Sequence, residues 1–378
     1  MILPSETVNP HEAPAGAPAK AQPHWSADHL RLHQLLRQQP QLLPAGAPLL
    51  LAVSGGQDSM AMTGLLLDLT RLHGWSLQLW HGDHGWRPES GQQAAELAQW
   101  AQQHGLALQI DRAEALAPNE AAARHWRYTR LAHWAERLGC QRVVTAHTAS
   151  DRAETLLLHL ARGSHRRGLA SLRRQRPLLE PAPPDPAAET AIQLVRPLLL
   201  FSRSDTARLC RELGLPVWTD PSNTDPRFAR NRLRQEVLPV LEQLHPGATR
   251  RIGAQAERLA GELERDEELV ALALAGLHAT PATSTHEVFT HEASSLGRQL
   301  QRAPLVALSL ASQRALLQHW LSQHNLQPLS SRQLETLLAR LAPRRGPGRL
   351  DLAGGWRLCW DRSTLALLGP TAGSPLHD

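Results

Sequence analysis

The run Leu49-Leu50-Leu51-Ala52-Val53, ending at Ser54-Gly55-Gly56, constrains this chain more than any other feature. Five consecutive apolar residues without alternation fit a strand buried on both faces, as where helices cover a parallel sheet. Two glycines directly after it allow a sharp turn and leave backbone N–H groups free. The same alternation then recurs. Helical spacing over 60–72 is followed by a strand at 77–80, a helix at 92–104, a strand at 106–110, a helix at 120–138, a strand at 142–145 and a helix at 152–160. This order predicts a doubly wound α/β fold with a mostly parallel sheet.

The flanks read differently. Residues 1–24 are rich in Pro and Ala and predict a disordered tail, after which a helix begins with Ser26 or Asp28 as its cap. A last α/β element runs through 194–199 and 205–213. Beyond Leu233 strand signals stop and helical spacing takes over, as in Leu316, Leu317, Trp320 and Leu321, then Leu334, Leu337, Leu338 and Leu341. Short strands return at 350–352, 356–360 and 364–368, with Gly354-Gly355 as a turn. The expected division is therefore a tail at 1–24, an α/β domain at 25–232, a helical domain at 233–342 and a small β-rich segment at 343–378.

At about 150 residues per domain, 378 residues hold two or three domains. No apolar run reaches the roughly 18 residues that cross a bilayer, and the N-terminus lacks a basic start followed by an apolar core. A soluble, cytoplasmic protein with no membrane association is expected. Cys140, Cys210 and Cys359 lie far apart with no CxxC pair, which excludes a disulfide framework, a thiolate zinc site and a CxxC redox centre. The net charge is +5, and Lys20 is the one lysine among 40 Lys+Arg. Guanidinium forks suit bidentate phosphate contacts, so the excess points to a polyanionic partner. Arg162, Arg166, Arg167, Arg173, Arg174 and Arg176 fall in one stretch without an acid, ahead of the loop 180–186, and predict a mobile basic segment.

The loop Ser54-Gly55-Gly56-Gln57-Asp58-Ser59 joins strand to helix in the manner of a phosphate nest. It has neither the GK[ST] ending of a Walker A loop nor a GxGxxG dinucleotide pattern. Asp58 would repel a phosphate unless Mg²⁺ bridges the two; the simpler reading makes Asp58 a helix cap. Asn119 is a natural N-cap, and Arg124 and Arg127 share one helix face, either to hold an anion or to meet solvent. Asp151 and Glu154 also share a face, at a strand-to-helix junction. They could bind Mg²⁺ or an ammonium group, or form a capping box with Asp151 as N-cap. His147 before them either fills a hydrogen-bonding slot or serves phosphate contact and proton transfer. His81 and His84 lack zinc spacing and fit a turn lining the site.

Taken together, these blocks resemble a known family. Ser54 to Ser59 is similar to the SGGxDS loop of the PP-loop ATP pyrophosphatases, whose members split ATP to AMP and pyrophosphate. Further blocks resemble the tRNA(Ile)-lysidine synthetases within that superfamily. Asp83-His84-Gly85-Trp86-Arg87-Pro88-Glu89-Ser90 matches DHGLRxES, and Asn119-Glu120 through Arg124 to Arg127-Tyr128 matches NxExxARxxRY. Thr145-Ala146-His147 through Asp151 to Glu154-Thr155 is similar to TAHHxDDQxET, and Arg196-Pro197-Leu198-Leu199 to RPLL. Asp220-Pro221-Ser222-Asn223 through Arg230-Asn231-Arg232-Leu233-Arg234 is similar to DxSN…RNxxR. The blocks stand in the family's order over about residues 48–234. Departures fall at Thr148, Ser150 and Arg152, where the family has His, Asp and Gln, and at His165, which interrupts a GSGxxGL-like stretch.

The resemblance implies an ATP-binding fold at 25–232 and a helical tRNA-binding domain at 233–342. It implies ligation of free L-lysine to the wobble cytidine of the isoleucine tRNA with a CAU anticodon, through an adenylated intermediate. Nucleotide binding would fall to Ser54, Gly55, Gly56, Gln57, Asp58 and Ser59, with Mg²⁺ on Asp58. Catalytic roles would fall to Asp58, Arg124, His147, Asp151 and Glu154. The arginines at 162–176, with Arg227, Arg230, Arg232 and Arg234, are candidate tRNA phosphate contacts. Trp320, Trp356 and Trp360 fit core packing better than base stacking. A homodimer is compatible with the sequence. Two other readings stay open: a tRNA thiolase, which would commonly use paired cysteines, and a catalytically inactive RNA-binding relative.

Overall fold

The computed structural model describes residues 25–86, 90–114, 116, 119–179, 191–218, 227–278, 298–324, 326–342 and 344–370. The tail 1–24, the loop 180–186 and the blocks Arg87-Pro88-Glu89 and Asp220 to Asn223 lie outside these residues.

The apolar run at 49–53 forms the strand β1 (Pro48–Ala52), whose Leu49, Leu50 and Leu51 are fully buried. Alternate side chains enter opposite layers. Leu49 and Leu51 join one core with Leu65, Leu69 and Leu209, while Leu50 joins a second with Tyr128, Leu131 and Val143. The elements between are α1 (Ala27–Gln38), α2 (Gln57–His73), β2 (Ser76–Asp83), α3 (Ser90–Gln103), β3 (Ala107–Arg112), α4 (Glu120–Arg137), β4 (Arg142–Val144) and α5 (Ala149–Ala161). Then come α6 (Arg166–Leu169), β5 (Gln175–Pro177), β6 (Gln193–Val195), a 3₁₀ turn at Pro197–Leu200 and α7 (Arg203–Glu212). The six strands lie in the order β3-β2-β1-β4-β6-β5, parallel except for β5, which runs antiparallel to β6.

This order places the site. From β1 the chain moves one way through β2 and β3, then returns to β4 on the other side of β1. The C-terminal ends of β1 and β4 therefore flank the point where strand order reverses, the crevice in which open α/β sheets hold ligands.

Beyond the sheet come α8 (Ala229–Arg232), a π-helical turn at Leu233–Val237, α9 (Leu238–Leu244) and the long α10 (Ala248–Leu277). Gly253 of α10 sits so close to α5 that a Cβ would lie 2.9 Å from the Ala149 carbonyl oxygen. The far end of α10 enters another core. Leu274 and Leu277 meet β7 (Gln299–Gln301), α11 (Arg302–Val306), α12 (Leu310–Gln323), α13 (Ser331–Leu341), β8 (Gly348–Asp351), β9 (Arg357–Trp360) and β10 (Thr364–Leu368). These strands form an antiparallel sheet in the order β7-β10-β9-β8. The expectation of helix alone over 233–342 misses β7, three residues whose partner β10 lies some sixty positions on. Trp320 and Trp360 are buried in this core, as expected of packing residues. Among the described residues no helix is long and apolar enough to cross a membrane.

The basic stretch 162–176 is ordered, contrary to the expectation of mobility. It holds α6 and β5 and lies along α10, whose acids balance it. Arg166 pairs with Glu262 and Asp266, Arg167 with Glu267, and Arg174 with Glu257. Arg152, where the family carries Gln, is fully buried and reaches the same Glu257 at 3.0 Å.

Candidate active site

The glycine loop builds its own scaffold. Gly55 adopts φ +81°, a left-handed conformation that favours glycine. A Cβ there would meet the Trp218 ring at 2.9 Å, and the Trp218 backbone N–H donates to the Gly55 carbonyl at 3.0 Å. Trp218 is held in turn by Glu96, whose carboxylate accepts the indole N–H at 2.5 Å. Across the loop, the Ser54 N–H donates to Ser59 Oγ at 3.2 Å, and Ser59 Oγ–H to the Gly56 carbonyl at 2.8 Å. Gly56 is the N-cap of α2 and makes no side-chain capping bond, so the first amides of that helix remain open to an anion.

Asp58 does not cap α2. Its Oδ2 lies 2.9 Å from Arg203, and its Oδ1 accepts the Thr206 hydroxyl at 2.5 Å. Burial pushes the Asp58 carboxyl above its ordinary range; Arg203 opposes this and the nearby Asp151 adds to it. Gln57 turns away from the loop and donates to the Arg203 carbonyl and to Thr206, binding α2 to α7.

At the end of β4, a capping box forms three residues earlier than expected. Thr148 is the N-cap of α5, and Asp151 occupies the third helical position, accepting from the Thr148 N–H at 2.7 Å. Glu154 belongs to no cap. Its carboxylate, 1% exposed, meets Arg234 at 2.7 and 2.9 Å in a bidentate pair. Burial raises the Glu154 pKa more than Arg234 lowers it. The second Asp151 oxygen, Oδ1, lies 3.6 Å from the same guanidinium. Asp58, Asp151 and Glu154 thus converge around Arg203 and Arg234. Arg234 faces inward as the partner of these acids, a role that its grouping with the RNA contacts did not anticipate. A cavity of about 200 Å³ opens beside them, lined by Glu154, Arg203, Arg234, Leu238, Pro239 and Glu242.

Arg124 belongs to a different group. It and Arg127 project from α4, which Asn119 caps, and lie 4.8 and 5.6 Å from the Tyr128 ring centre. His147 lies near this arginine group, its Nδ1 3.1 Å from the Thr145 hydroxyl. Desolvation, with Arg196, Arg127, Arg124 and Arg230 around it, holds His147 well below its ordinary pKa, so it is neutral at pH 7. His81 donates Nδ1–H to the Val53 carbonyl at 2.8 Å and braces β2 against the end of β1.

Sequence reasoning missed Arg203, Thr206 and Trp218, and gave Tyr128 no role beyond its place in a family block. The one local signal was Ser202 followed by Asp205, a capping box that starts α7 and so puts Arg203 at a helix N-terminus. Nothing local names Asp58 as the partner of Arg203.

Comparison with known proteins identifies the family. Residues 27–241 match the model of a PP-loop domain, and residues 300–365 that of the TilS substrate binding domain. A tRNA(Ile)-lysidine synthase of Parasynechococcus marenigrum (strain WH8102) is 51% identical over 350 residues, covering 92% of this chain and 97% of that protein. A tRNA(Ile)-lysidine synthase of Prochlorococcus marinus is 40% identical over 357 residues, covering 92% of this chain and 98% of that protein. A U34-tRNA thiolase from Methanococcus maripaludis shares the fold, with a TM-score of 0.50 at 17% identity over 61% of this chain and 78% of that one. With an intact glycine nest and the acid group at the strand reversal, and with relatives matched along nearly their full length, the chain belongs to the tRNA(Ile)-lysidine synthase family.

Proposed function

We propose that the chain is an ATP-dependent ligase that attaches L-lysine to the wobble cytidine of the isoleucine tRNA with a CAU anticodon. In the first step the C2 oxygen of cytidine attacks the α-phosphorus of ATP, and pyrophosphate leaves. In the second, the ε-amine of lysine attacks C2, and AMP leaves with that oxygen. The observation that carries this reading is the meeting of an open glycine nest with Asp58 and Asp151 at the ends of β1 and β4.

The α2 amides and the Ser54–Ser59 scaffold suit the polyphosphate of ATP. Asp151 raises the cost of ionising Asp58, and a guanidinium already lies against Asp58, so the donor set fits a cation. Mg²⁺ held there by Asp58 would neutralise phosphate charge beside the carboxylate. The adjoining cavity is the candidate lysine site. Arg203 and Arg234 suit its carboxylate, Leu238 and Pro239 its aliphatic stem, and Glu154 and Glu242 its ammonium groups. His147 supplies a neutral hydrogen-bonding group between nucleotide and base. The cytoplasm, where tRNA and ATP meet, is the proposed compartment.

Sulfur transfer fits this chain poorly. Burial pushes the Cys140 and Cys210 thiols up to about 11, far from the reactive thiolate range. The deciding assay incubates the protein with isoleucine tRNA, ATP and labelled lysine. Label in the tRNA together with AMP release establishes the ligase; AMP release without lysine incorporation rejects it.

A further inference from the structure

Tyr128 is the chain's one tyrosine, and it is buried. Three guanidiniums surround its ring: Arg124 at 4.8 Å, Arg176 at 5.2 Å and Arg127 at 5.6 Å from the centre. A fourth, that of the 1% exposed Arg196, faces the phenol oxygen. Among the described residues, no carboxylate pairs with Arg124, Arg176 or Arg196. This contrasts with the stretch along α10, where Arg166, Arg167 and Arg174 each have an acid. Two of the four arginines come from α4, one from β5 and one from the end of β6. Their convergence is therefore a product of the fold, and it lies beside His147 at the strand ends.

Like charges gathered around one ring repel each other, and for Arg124, Arg176 and Arg196 no carboxylate among the described residues relieves the repulsion. Cation–π attraction offsets part of this, and an arriving anion would relieve the rest. We propose that Tyr128 is a positioning residue whose ring gathers Arg124, Arg127, Arg176 and Arg196 into a single phosphate-binding site beside His147. The proposal rests on the ligase reading for the source of that phosphate, which is either the polyphosphate of ATP or the RNA backbone. The ring face does the gathering, so Phe should substitute for Tyr and an aliphatic residue should not.

The test compares wild type, Tyr128→Phe and Tyr128→Leu in the full-length protein, with folding checked by circular dichroism and thermal melting. Binding of inorganic pyrophosphate and of isoleucine tRNA is measured separately across a salt series. The expected result is about tenfold weaker binding of one probe by Tyr128→Leu, with a shallower salt slope, and near wild-type binding by Tyr128→Phe. Loss confined to pyrophosphate assigns the site to ATP, and loss confined to tRNA assigns it to the RNA backbone. If Tyr128→Leu does not fold, Arg176→Gln on the edge strand replaces it and should lower the affected slope by about one. Unchanged binding of both probes by a folded Tyr128→Leu or Arg176→Gln overturns the proposal, as does equal damage from Phe and Leu. None of these readings requires lysine transfer. A protein that binds as expected yet makes no lysidine refutes the ligase and leaves the site standing.

Discussion

Arg234 holds Glu154 through two parallel hydrogen bonds of 2.7 and 2.9 Å, across 80 positions of sequence, and also faces Asp151 at 3.6 Å. One guanidinium thus serves two acids of the site, and removing it differs in kind from removing either acid.

Glu154→Gln relieves a carboxylate whose pKa burial has raised but gives up the charge that Arg234 holds in a bidentate pair, leaving Arg234 to Asp151. These effects oppose each other, so stability should change by no more than about 1 kcal/mol. Arg234→Met instead strands two acids and should cost about 3 kcal/mol. With Arg234 gone the Glu154 pKa rises further, so the variant should be closest to wild type below the ordinary carboxylate pKa. It should lose stability as pH rises through the raised folded value. Thermal melting from pH 4 to 8 checks the asymmetry, and lysine transfer by Glu154→Gln should fall at least tenfold while pyrophosphate release in the first step persists.

For Asp58→Asn, folding and activity should separate. The folded Asp58 pKa lies above its unfolded value, so ionised Asp58 opposes folding as pH rises through the raised pKa. The Asn variant should melt at or above the wild-type temperature at pH 7, with its advantage shrinking toward pH 4. AMP formation should collapse by orders of magnitude. A folded Asp58→Asn protein with near wild-type AMP formation would remove this residue from the chemistry.

Gly55→Ala faces two obstacles, a φ of +81° and the Trp218 ring 2.9 Å from the new Cβ. The left-handed conformation alone costs about 1 to 2 kcal/mol. Adding Trp218→Ala should clear the space yet leave that strain, so the double variant recovers only part of the stability and ATP-dependent AMP formation. Full recovery would show that the ring, and not the backbone, sets the loop.

Arg174 and Arg166 belong to one basic stretch and should behave oppositely. Arg174 is nearly buried and shares Glu257 with the buried Arg152, whereas Arg166 is 57% exposed. Arg174→Ala should lower the melting temperature by several degrees, through about 2 kcal/mol of lost pairing. Arg166→Ala with Arg167→Ala should leave melting within about a degree, since exposed pairs contribute little. If these two exposed arginines touch tRNA, the slope of log K against log salt falls by roughly one for each. An unchanged slope assigns them to the α10 contact alone.

The sequence by itself determined β1, the glycine turn and α2, because a doubly buried strand, a left-handed glycine and an open helix start are each set within a few residues. It determined the α/β alternation and the family blocks for the same reason, and it located Asp58, Asp151 and Glu154 at strand-to-helix junctions. Its local rules also misplaced the α5 cap, where Thr148 rather than Asp151 takes the position, since either spacing satisfies the same pattern. Only the tertiary structure decided which charges meet. Arg152 finds Glu257 at a separation of 105, Glu154 finds Arg234 at 80, and the acid-free stretch 162–176 finds its acids on α10. It also decided that four arginines from three elements surround Tyr128. The physical reason is range. Periodicity, caps and turns are short-range and written along the chain, whereas ion pairs and cation–π contacts depend on which distant surfaces burial brings together.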